Sequence, residues 1–136
     1  MIFMEAKTRT ARIYYNGKIL VSELDADITV STEDARENHK VVMDFMQDKK
    51  YVSLVITAPA VSITKEARED SKHPDRYKSC IAQAIVVNDL ATRLLGNFMV
   101  RILNRQCPQR VFQSRKTAEE WLEHQLELHN LLQEIK

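Results

Sequence analysis

The order of local signals along this chain constrains its fold more than any single residue constrains a reaction. A hairpin signal comes first. Residues 8–15 alternate loosely, with Ala11, Ile13 and Tyr15 on one face, and residues 18–23 return after Asn16-Gly17. Asn-Gly between two such runs predicts a type I′ turn, with positive φ at both residues. Helix-type and strand-type segments then alternate to the C-terminus, giving the order ββαβαβαβα. Buried strands separated by helices imply parallel neighbours, because a parallel pair needs a long crossover. The expectation is an α/β domain: a mixed, mostly parallel sheet covered by helices, with the hairpin supplying one antiparallel strand.

The segments themselves carry clear punctuation. Ser31 is placed to cap a helix, with Asp34 three residues on. Ala35, Asn38, Val42, Phe45 and Met46 then follow the helical period. YVSLVIT at 51–57 reads as a strand buried on both faces, stopped by Pro59. Residues 63–79 read as a short polar helix that Pro74 ends or kinks. IAQAIVVN at 81–88 is a second buried strand, and Asp89 caps a helix to about Asn104. RVFQS at 110–114 is a short last strand. Thr117-x-x-Glu120 reads as a capping box that starts the final helix before Trp121.

With 136 residues, 44% of them hydrophobic, the chain fits one domain with one core, residues 1–136. Residues 126–136 form a C-terminal helical extension of that domain. Only two glycines and three prolines are present, which leaves little room for linkers. The start, MIFMEAKTR, is too short and too charged for a signal peptide. No apolar run reaches the roughly 20 residues of a membrane span. Cys80 and Cys107 form no CxxC and no disulfide framework, so a cytoplasmic chain with reduced thiols is expected.

The net charge of +1 argues against general nucleic-acid affinity. Charge is nonetheless uneven. Residues 90–118 carry six basic side chains and no acidic one, whereas residues 117–136 carry five glutamates and one lysine.

Chemical motifs are sparse. His39, His73, His124 and His129 form no HxH, HxxxH or HExxH, so no metal site is expected. Neither GxGxxG nor GxxxxGK[ST] occurs, and two glycines do not suffice for either. No cofactor is expected. Cys80 follows His73 and Asp75, a loose Cys/His/Asp set, but a buried thiol without function is the simpler reading. Cys107 precedes Pro108 in a loop among arginines, which lower a thiol pKa and imply incidental redox sensitivity.

The helix at 89–104 is more informative. Ala91, Leu94, Leu95, Phe98 and Ile102 form an apolar stripe, and Arg93, Asn97, Arg101 and Arg105 form the opposite row. Two readings stand side by side: packing on the domain's own sheet with a solvated arginine face, or a partner surface. The last helix has Trp121, Leu122, Leu128, Leu131, Leu132 and Ile135. Its second half either packs internally or pairs with a second copy.

Three stretches carry a family resemblance: Arg93-Leu94-Leu95-Gly96-Asn97-Phe98, Pro108-Gln109-Arg110-Val111-Phe112 and Glu120-Trp121-Leu122. With the element order, they resemble a small uncharacterised bacterial branch of the STAS-like domains, the group of the anti-sigma-factor antagonists. The resemblance covers about residues 8–125. It implies a STAS-like fold and a non-enzymatic regulatory or protein-interaction module. Antagonists of that group carry Asp-Ser-Ser-Gly at a helix start, where phosphorylation of a serine breaks a partner interface. The matching stretch here is Val61-Ser62-Ile63-Thr64-Lys65-Glu66-Ala67, with no Asp-Ser-Ser-Gly. Ser62 and Thr64 read there as helix caps. The candidate partner-binding residues are therefore Ser62, Thr64, Lys65 and Glu66, together with Arg93, Asn97, Phe98 and Arg101. The expected partner is a protein or a second copy. The alternative is a binding domain for a small apolar or anionic, lipid-like ligand. A hydrolase using Cys80 comes third.

Overall fold

A computed structural model describes residues 2–87 and 107–135. The central sheet has the strands β1 (Met4–Lys7), β2 (Ala11–Tyr15), β3 (Ile19–Leu24), β5 (Tyr51–Ile56), β7 (Cys80–Val86) and β8 (Gln109–Phe112), in that spatial order. β1, β2 and β3 are antiparallel neighbours, and β3, β5, β7 and β8 run parallel. The mixed, mostly parallel sheet is as expected. Its antiparallel part is larger by β1, a short edge strand.

The hairpin turn differs from type I′. Asn16 N–H donates to Ile19 O at 3.3 Å, so Gly17 and Lys18 are the central pair. Gly17 has φ +93°, and Asn16 is not in the left-handed region. Asn16 instead accepts with its side chain: Lys18 N–H and Ile19 N–H both donate to Oδ1, at 3.0 and 2.8 Å. One positive-φ glycine and an Asx turn replace two positive-φ residues.

Helix α1 (Thr32–Met46) starts at Ser31 in a full capping box with Asp34. Helix α2 (Lys65–Asp70) is shorter than the polar segment suggested, and Pro74 begins a 3₁₀ turn (Pro74–Arg76). A second, two-stranded parallel sheet, β4 (Thr29–Val30) with β6 (Ser62–Ile63), was not legible from pattern. The last described helix, α3 (Arg115–Ile135), begins before the Thr117–Glu120 box. Ser114 O accepts from Ala118 N–H at 3.1 Å, and Thr117 Oγ1 donates back to Ser114 O, also at 3.1 Å. Thr117 therefore sits inside the first turn. The expected helix at 89–104 lies outside the described residues.

Each sheet face has its own core. On one side Val21, Val52, Leu54, Ala82 and Ala84 pack under Ala118 and Leu122 of α3. Phe112 and Trp121 extend this layer, with ring centroids 5.7 Å apart. On the other side Ala11, Ile13 and Leu20 pack against Met46 of α1, with Tyr51, Cys80 and Cys107 completing the cluster. The turn between β1 and β2 is tied to α1 by polar contacts. Thr8 Oγ1 donates to Asn38 Oδ1 at 2.6 Å, and Asn38 Nδ2 donates to Thr10 Oγ1 at 2.9 Å.

Candidate functional site

The α1 side of the sheet is not filled across its width. A cavity of about 270 Å³ lies there, between the strands, α1 and the β6–α2 region. Its floor alternates by strand geometry. Residues one apart point to opposite faces, so Val52 and Leu54 go to the α3 core while Ser53 and Val55 face the cavity. On β7 the same rule sends Ala82 and Ala84 down and Gln83 and Ile85 up. Val42 and His39 of α1 form one wall, and Val61 and Ile63 form another.

A polar row crosses this floor. Ser53, Gln83 and Gln109 are direct neighbours in register on β5, β7 and β8. Gln109 Nε2 donates to Gln83 Oε1 at 2.7 Å, and Gln83 Nε2 donates to Ser53 Oγ at 3.3 Å. Gln109 Oε1 is buried and has no hydrogen-bond partner among the described residues. A buried orphan acceptor is costly, by about 1–3 kcal/mol. Here it belongs to a side chain that lines the cavity.

The charged end of the cavity is at Arg76, whose side chain is largely buried and ion-paired with Asp70. Arg36 donates to the same carboxylate at 2.9 Å. Two guanidinium groups thus share one carboxylate. Arg36 and Arg76 hold the Asp70 carboxyl below its usual range. Burial, then the charge of Arg76, pushes the nearby His39 imidazole down, toward its neutral form. Burial pushes the Tyr77 phenol up, against the opposing effect of the Gln109 side chain beside it.

Sequence reasoning missed this set. The available signal was Ser53 and Gln83, polar residues in the middle of otherwise apolar strands.

The expected partner-binding residues divide. Ser62, Thr64, Lys65 and Glu66 do form one surface segment, at the end of β6 and the first turn of α2. Thr64 is the helix cap, accepting from Ala67 N–H at 3.0 Å. Ser62 is not a cap. It is exposed on β6, and its hydroxyl is hydrogen-bonded to that of Thr29 at 2.9 Å. Lys65 and Glu66 border a shallow charged groove with Arg36 and Lys72, separate from the cavity floor. Arg93, Asn97, Phe98 and Arg101 lie outside the described residues.

Cys80 is a poor nucleophile as placed. Its hydrogen-bond partners are the Cys107 thiol and Ala82 O. The Cys107 contact, with burial, pushes its pKa up and disfavours the thiolate. His73 is exposed and faces Asp75. Among the described residues no group of three or more His, Cys, Asp or Glu is placed to hold a metal, and no helix is long and apolar enough to cross a membrane.

The comparisons with known proteins agree with this architecture. An uncharacterised protein of the DUF3478 family from Shewanella loihica PV-4, described as having a SpoIIAA-like fold, superimposes with a TM-score of 0.56. The match covers 90% of this chain and 92% of that one, at 13% sequence identity, so it speaks for the fold alone. The fold is STAS-like, as the resemblance implied. No curated protein matches the chain. A family model described as a domain of unknown function, DUF7793, matches residues 13–126, and the chain belongs to that family.

Proposed function

We propose that this chain is a non-enzymatic binding module, and that it binds a small, mainly apolar molecule with one hydrogen-bonding end. The observation that carries the reading is the cavity itself, apolar over most of its lining and crossed by a polar row. At about 270 Å³ it exceeds the roughly 150 Å³ that holds a benzene ring and lies just under the usual drug-sized range. Leu20, Val42, Val55 and Ile85 supply an apolar lining, while Ser53, Gln83 and Arg76 supply polar groups. A hydroxyl would hydrogen-bond with Ser53 or Gln83, and a carboxylate would pair with Arg76. The raised pKa of Cys80 and its partners favour this over a hydrolase. The test is calorimetric titration with two probes of one chain length, 1-octanol and octanoate. Binding of either, abolished by V55W at unchanged thermal stability, is the expected result. No binding of either probe to the wild-type chain would overturn it.

A second reading, protein interaction, rests on the far end of α3. Leu128, Leu131, Leu132 and Ile135 are 41, 54, 58 and 80% exposed, a row at helical spacing. Apolar stripes left uncovered at this scale mark interaction surfaces, and a second copy of α3 has the matching face. The double variant L131E/L132E is expected to convert a dimer to a monomer in sedimentation velocity. A wild-type chain that sediments as a monomer at all concentrations would remove this reading. The Ser62–Glu66 segment is a further partner surface of the same reading. Loss of a partner on S62D, with T64A only loosening α2, would identify it.

A further inference from the structure

Cys80 and Cys107 are 27 residues apart in the chain, yet their sulfurs are 2.9 Å apart. Ordinary alternation along β7 would have kept them apart. Cys80 would then share the α3 face with Ala82 and Ala84. The pairing of β5 with β7 slips once: Tyr51 faces Cys80, but Val52 faces Ala82. Ile81 is therefore the extra residue of a bulge, and a bulge re-aims the side chain beside it. It turns Cys80 to the α1 face, into one cluster with Tyr51 and Cys107. Cys107, two residues ahead of the start of β8, joins Cys80 and Tyr51 in that cluster. Cys80 is 7% exposed and Cys107 fully buried.

We propose that Cys80 and Cys107 are an oxidisable dithiol, a modification site at which a peroxide forms an intramolecular disulfide. Cys80 is a weak nucleophile as a buried thiol, but it is the more exposed of the two, and it slowly attacks the O–O bond of the peroxide. For hydrogen peroxide this gives a sulfenic acid on Cys80, and the departing hydroxide takes up the thiol proton as water. Cys107 Sγ then attacks that sulfur. The S–S bond forms as the S–O bond breaks, and the hydroxide leaves with the Cys107 proton as a second water. Two thiols are oxidised and one peroxide is reduced to two waters. Burial slows the first step and protects the product, so this site holds a disulfide and does not turn over peroxide rapidly. The site stands apart from the ligand reading, since it needs no occupant in the cavity.

The test uses the full chain, reduced, desalted and exposed to hydrogen peroxide, then acid-quenched, denatured and alkylated. The expected product is a monomer that has lost two hydrogens, takes up no alkylating agent and yields one Cys80–Cys107 cross-linked peptide. Its thermal midpoint is expected to rise by roughly 10 °C over the reduced chain, the loop-closure effect for a loop of this length. C107S should show neither the cross-link nor the rise. The peptide map requires no variant, so a C107S chain that fails to fold leaves the test intact. Two alkylatable cysteines after oxidation, sulfinic acid on Cys80 beside an intact Cys107, or a cross-link between two copies would each overturn the proposal.

Discussion

Leu122→Ala is expected to lower the unfolding free energy by about 3 kcal/mol, the largest single-residue effect argued for this chain. Leu122 is fully buried, and it is the side chain through which α3 enters the core of the β3–β5–β7 face. Truncation removes three heavy atoms from a close-packed layer and leaves a cavity in it. The remaining anchors, Trp121 and Leu126, are only partly buried. Urea denaturation of the two chains should show a lower midpoint with an unchanged slope. A loss below about 1 kcal/mol would mean that α3 docks through Trp121 and Phe112 rather than through Leu122.

Asp34→Ala is expected to cost about 2 kcal/mol near neutral pH, since it removes charge-assisted hydrogen bonds at a buried carboxylate. Asp34 accepts from Ser31 N–H and from Ser31 Oγ, both at 2.9 Å, and from Arg9 Nε at 2.8 Å. Arg9 also donates to Thr29 O at 2.9 Å, so one carboxylate joins the β1–β2 turn, the β4 strand and the start of α1. The Arg9 guanidinium, with the Ser31 bonds, holds the Asp34 carboxyl well below the usual carboxylate range. Its folded pKa is thus lower than its unfolded value of about 3.9. The stabilisation is full above that unfolded value and is lost as pH falls toward the folded one. Thermal midpoints of the wild type and D34A should therefore converge on acidification below about pH 4, and stay apart above it. A gap that stays constant from neutral pH into the strongly acid range would show that the carboxylate charge is not what matters.

The strand and helix periods were legible, and so was the N-cap at Ser31, because these depend on residues close in sequence. What escaped the sequence depends on neighbours that are remote or on a single inserted residue. Asn16-Gly17 is a strong type I′ signal, yet the Asn16 side chain captured two backbone N–H groups and moved the turn by one residue. Thr117 and Glu120 have the right spacing for a cap, but Ser114 lies upstream and takes that role. The cavity escaped for a different reason. An apolar strand with one serine reads as buried on both faces, and only the third dimension shows that Ser53, Gln83 and Gln109 stand in one row. The approach of Cys80 to Cys107 was hidden by Ile81, whose bulge reverses the alternation that a sequence reader applies.

The described sheet ends at β1 on one side and β8 on the other, and both strands have four residues. Each margin carries charge: Glu5 and Lys7 on β1, paired with Arg12 and Asp25, and Arg110 over the ring of Phe112 on β8. Short charged margins do not template strand addition. Growth of the described sheet from molecule to molecule by strand addition is thereby disfavoured at both rims.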